Sequence, residues 1–66
     1  MEYKLNINGN YQVIETDSNK QLGVIINYGD NIGWEFSPYV STRLSYLLLR
    51  RIYNKVYQLR KRDKQI

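Results

Sequence analysis

The sequence holds no histidine and no cysteine. That removes the usual general base near neutrality, the thiolate nucleophile and the common zinc ligands in one stroke. What is left for chemistry is carboxylates, and two pairs stand close in sequence: Glu15 with Asp17, and Asp30 with Glu35. Such pairs can hold a divalent cation. In polar turns and at strand ends they are more simply read as solvated groups. The four glycines build no phosphate loop, because neither G-x-G-x-x-G nor G-K-[ST] occurs. The residues predict a non-enzyme with no catalytic residue, no cofactor and no metal site.

The functional signal that remains is the layout of charge and aromatic rings. Net charge is +4, but residues 1–36 sum to −3 and residues 37–66 to +7. A molecule this polarised is suited to charged macromolecular partners. Glu15, Asp17, Asp30 and Glu35 are the candidate edge for docking on a basic partner. Arg43, Arg50, Arg51, Lys55, Lys61 and Arg62 are the candidate phosphate-tracking side chains of an alternative reading, in which tyrosines interleaved among them stack on the bases of a single strand.

The elements that must position these groups follow from periodicity. The C-terminal third, residues 37–64, predicts one long amphipathic helix ahead of a two-residue tail (65–66). Ser37 followed by Pro38 reads as an N-cap and first helical position, and no Gly or Pro comes after. At about 100° per residue, Leu48, Ile52, Val56 and Leu59 form one apolar row. Tyr46, Leu49, Tyr53 and Tyr57 form a second beside it. Two rows are wider than the ~100° stripe a single sheet contact needs. A helix of about 26 residues would also extend roughly 39 Å, well past strands of ordinary length. The surplus predicts a second copy of the chain as cover, with Tyr46, Leu49, Tyr53, Val56 and Tyr57 as the seam, since twofold dimers are the commonest oligomers.

Residues 1–36 predict a small antiparallel meander. Tyr3 to Ile7 alternates at period two, and Asn8-Gly9-Asn10 signals a hairpin. A three-residue loop, with Gly9 or Asn10 at positive φ, pairs Ile7 with Tyr11 and Leu5 with Val13. That choice keeps one face apolar. After the polar turn Thr16–Lys20, Leu22, Val24, Ile26 and Tyr28 are expected on the inner face of a third strand. Trp34-Glu35-Phe36 is a fourth, with Trp34 capping the core beside the helix start or else serving as an exposed anchor. The predicted fold is a single α+β domain, ββββα, with the helix laid across the sheet.

Size supports the dimer independently. A chain of 66 residues is marginal alone, and without Cys or His, oligomerisation is the remaining source of stability. A sheet with one dimerising helix is similar in architecture to the single-strand-binding transcriptional coactivators, although those carry their basic residues on the sheet. No signal peptide or apolar run near 20 residues is visible, so the expected setting is the cytoplasm with no membrane contact. The wealth of Ile, Asn, Tyr and Lys and the absence of Ala suggest a low-GC genome. The leading expectation is a small binding protein acting on another protein, a regulator or inhibitor of the kind phages and mobile elements encode. Nucleic-acid binding is the alternative.

Overall fold

Alternating apolar residues in the first half and a 3.6-residue period in the last third produce the expected architecture. The structure, a computed structural model, describes residues 1–29, 31–39 and 43–63. β1 (Glu2–Leu5), β2 (Tyr11–Glu15), β3 (Lys20–Asn27) and β4 (Trp34–Pro38) form one antiparallel sheet in chain order, and α1 (Tyr46–Asp63) packs across it. The fold is α+β, ββββα. Val13, Leu22, Ile25, Trp34 and Phe36 from the sheet enclose Ile52, Val56 and Leu59 from the helix. The helical row read from spacing is therefore the row that meets the sheet, with Leu48 only half buried at its first turn.

The first hairpin has the expected parity but is displaced by two residues. Leu5 pairs with Tyr11 and Tyr3 with Val13, so the loop spans Asn6 to Asn10 and Ile7 stands fully in solvent. The reason lies in Asn6. Its side-chain oxygen accepts the backbone N–H groups of Asn8 (2.9 Å) and Asn10 (3.1 Å), and its own N–H donates to the Asn10 carbonyl at 2.8 Å. This closes a wide turn before Ile7 can pair. Gly9 takes the positive φ of 83°.

The inner face of β3 differs from the period-two expectation. Val13 pairs with Gly23 but Ile14 with Gln21, so Leu22 is an extra residue in β3. This bulge turns the phase of the strand. Leu22 and Ile25 are buried, Val24 and Ile26 lie half buried on the other face, and Tyr28 is exposed. Past the bulge, Gly23 lies where any Cβ would stand 2.5 Å from the Ser37 carbonyl oxygen and 2.8 Å from Phe36 Cε1. Only glycine lets β4 approach that closely.

Ser37 and Pro38 do not start the helix. They end β4, where Val24 pairs with Ser37 and Gly23 with Pro38. Tyr28 N–H donates to the Gly33 carbonyl (2.9 Å) and Tyr39 N–H to the Leu22 carbonyl (3.2 Å). With the alternation of an antiparallel pair, this register turns the backbone groups of Glu35 and Ser37 towards β3. Those of Trp34, Phe36 and Pro38 face the open edge. Proline's missing N–H thus costs no inter-strand bond. The helix is capped instead by Ser45, whose Oγ accepts Leu48 N–H at 3.2 Å and whose carbonyl accepts Leu49 N–H at 3.0 Å.

The shortened helix removes one expectation. Eighteen residues extend about 27 Å, and the eight residues of β3 span about 26 Å. Helix and sheet are matched in length, so no overhang needs covering. Trp34 is also placed differently, buried in the core but beside the end of α1 rather than its start. There its ring tilts against Tyr11 with centroids 5.6 Å apart.

Candidate functional site: the tyrosine-lined flank of the helix

The five residues expected to form a seam separate into two groups. Taking the core meridian between Ile52 and Val56, Leu49 lies within about 40° of it on the wheel, whereas Tyr46, Tyr53 and Tyr57 lie about 80–120° round. Exposure agrees. Val56 belongs to the core and Leu49 packs against it, while Tyr46, Tyr53 and Tyr57 remain 76%, 51% and 65% exposed. Leu49 and Val56 are thus occupied within the chain. The three tyrosines are what the fold leaves bare.

The flank borders the open edge of β4. The Tyr53 ring meets Phe36 edge-on at 6.2 Å and 88°, which fixes the inner side of the strip. Glu35, Tyr53, Val56, Tyr57 and Arg60 line a shallow cleft of about 290 Å³ between helix and strand. Arg60 Nε donates to the Trp34 carbonyl at 2.7 Å, and its terminal nitrogen donates to and forms an ion pair with Glu35. Arg50 and Lys61 complete the strip outside the tyrosines, both exposed. In order it reads Tyr46, Arg50, Tyr53, Tyr57, Lys61.

The other basic residues do not act as one surface. Lys55 turns back over the sheet, with Nζ 5.4 Å from the Tyr3 ring centroid and 5.5 Å from that of Tyr11. It is a cation–π contact across the far side of the helix. Beside it the Tyr3 hydroxyl donates to the Arg51 carbonyl at 3.4 Å. Burial pushes the Tyr3 phenol above its ordinary value of 10.0, against the opposing pull of the Arg51 guanidinium. Arg43, Arg51 and Arg62 are exposed.

The described acidic candidates, Glu15, Asp17 and Glu35, are not gathered. Glu15 closes β2 opposite Lys20 and accepts the Ser18 hydroxyl at 2.6 Å, with Asp17 in the same turn. Glu35 pairs with Ile26, six positions along β3 and so about 20 Å away, and is engaged by Arg60. Asp30 lies outside the described residues, as does Lys64 of the basic tail. Among the described residues no group of three acidic side chains is placed to hold a metal, and no helix is long and apolar enough to cross a membrane.

One set of exposed apolar residues has no counterpart in the sequence reading. Leu5, Ile7, Tyr28 and Ile32 are all exposed and belong to the two hairpins that share one end of the sheet. Asn27 N–H joins those hairpins by donating to Asn10 Oδ1 at 3.4 Å. The hairpin displacement that exposes Ile7 depends on an asparagine side chain, so hydropathy alone could not have revealed that exposure. No family model, curated protein or solved structure matches this chain.

Proposed function

We propose that this chain is a non-enzymatic binding protein that recognises another protein through the tyrosine-lined flank of α1. One observation carries the reading: Ile52, Val56 and Leu59 already satisfy the sheet, yet Tyr46, Tyr53 and Tyr57 stand largely in solvent on the same helix. Tyrosine supplies large contact area with few rotatable bonds and is enriched where interfaces concentrate their energy. A cytoplasmic regulator or inhibitor of the type mobile elements encode fits a domain this small, in which charge and aromatic surface are the main resources.

The test is a photo-reactive residue at Tyr57, compared with one at Lys20 at the far turn, in extract from the native source. The expected result is a discrete protein adduct from position 57 alone, weakened by Tyr46→Asp. Equal labelling from both positions, or labelling indifferent to Tyr46→Asp, overturns the flank as the binding surface.

Nucleic-acid binding is the second reading, favoured by Arg50 and Lys61 interleaving with the exposed tyrosines. Lys55 and Arg60 count against it, since both are engaged on the sheet. A labelled single strand titrated at two salt concentrations separates the two: steep salt dependence belongs to this reading, and no binding at low salt removes it.

A further inference from the structure

The cations and rings of the strip on α1 are placed symmetrically along the helix. Tyr46 and Lys61 lie equally far along the helix from the midpoint between Tyr53 and Asn54, and so do Arg50 and Tyr57. A twofold axis through that midpoint, running two helices antiparallel, sets each Arg50 against the partner's Tyr57 and each Lys61 against the partner's Tyr46. Every cation then meets an aromatic face, the favourable arrangement for a guanidinium or ammonium, and like charges are kept apart. A parallel pair would instead stack Arg50 on Arg50 and Lys61 on Lys61. We infer that the flank of α1 associates with the flank of a second copy in this antiparallel register. The inference rests on the flank being a protein-binding surface and names a second copy as what covers it when no foreign partner is bound.

The strand edge beside it is partly blunted. Arg60 occupies the Trp34 carbonyl on the outward side of β4, and Pro38 offers no N–H there. Both features hinder edge-to-edge pairing at this strand, which favours the helix flank over the β4 edge. The strip from Tyr46 to Lys61 is about 23 Å long. It offers on the order of 500 Å² per copy, short of the ~800 Å² per partner of a standard interface. Association is therefore expected to be concentration-dependent rather than permanent.

Two measurements on the full chain test this. In sedimentation equilibrium the mass should rise from the 7.9 kDa of one chain towards twice that between micromolar and millimolar concentration. Arg50→Glu and Tyr57→Ser should each weaken association at least tenfold while circular dichroism stays unchanged, since both side chains are exposed. The absence of native cysteine then allows the register to be trapped. Asn54→Cys should form a disulfide with itself, and Arg50→Cys should couple to Tyr57→Cys in a mixture but not to itself. Monomer at every concentration overturns the self-pairing yet leaves the flank open to a foreign protein, which the photo-crosslinking above would still detect. A dimer in which Arg50→Cys couples to itself but not to Tyr57→Cys overturns the antiparallel register.

Discussion

Arg60, in the last turn of α1, donates through Nε to the carbonyl of Trp34, tying the end of the helix to the open edge of the sheet. The same guanidinium reaches Glu35, so one side chain joins the last element to the first residues of β4. The Glu35 contact is roughly half exposed and contributes about 1 kcal/mol or less. The bond to the carbonyl, also made by a charged donor, adds to it. Arg60→Ala is expected to lower unfolding free energy by about 1–2 kcal/mol, and Arg60→Lys to recover less than half, because an ammonium cannot serve both acceptors with a planar fork. Urea denaturation measures this; an unchanged midpoint for Arg60→Ala would show the link to be ornamental.

Gly23 makes the second prediction. Its missing Cβ is what lets β4 lie against the bulged part of β3, with the Ser37 oxygen, Phe36 Cε1 and Pro38 Cα all within 2.8 Å of where that carbon would be. Two of those atoms are backbone, so they cannot rotate away. Gly23→Ala is expected to cost about 1–3 kcal/mol, or roughly 5–20 °C in melting temperature for a chain of this size. A variant that melts with the wild type would mean the strands separate more easily than this packing implies.

Core and flank should respond in opposite ways. Ile52 is wholly buried, and Ile52→Ala is expected to cost about 2–5 kcal/mol, against a total stability of roughly 3–10 kcal/mol for 66 residues. That variant should melt at a clearly lower temperature and urea concentration than wild type by circular dichroism. Tyr57→Ser, by contrast, should shift monomer stability by about 0.5 kcal/mol or less. A large loss in dilute monomer would show that Tyr57 is held within the chain.

The start of the helix shows what sequence patterns can and cannot reveal. The core row Ile52, Val56 and Leu59 was legible because its spacing has only one structural meaning. Ser37-Pro38 has two, since a proline that suits a first helical turn equally suits an outward position on an edge strand. The phase of β3 was hidden by the bulge at Leu22, and a bulge leaves no mark on hydropathy until the partner's register is known. The flank was half legible: the tyrosines were found by spacing, but separating Leu49 and Val56 from them required knowing where the core meridian falls. The separation of Glu15 from Glu35 was not legible, because spacing along the chain says nothing of which ends of the sheet two carboxylates occupy. A pair of substitutions tests the cap directly. Ser45→Ala should cost about 0.5–2 kcal/mol, and Ser37→Ala, which touches no helix N–H, markedly less. The reverse order in urea melts would restore the earlier helix start.

Tyr3 supplies a dependence on pH. Its phenol titrates above 10.0 in the folded chain because burial disfavours the phenolate, with Arg51 pulling the other way. The unfolded chain, with the ordinary value, loses its proton first. Stability from this group is therefore fully present below about pH 10 and falls as pH rises through the folded-state value. Tyr3→Phe removes the ionisation and keeps the ring under Lys55, at the cost of one long hydrogen bond to the Arg51 carbonyl. The variant should be slightly less stable at pH 8 and should lose less stability than wild type between pH 9 and pH 11. Parallel stability curves for the two proteins across that interval would mean that Tyr3 ionises as freely when folded as when unfolded.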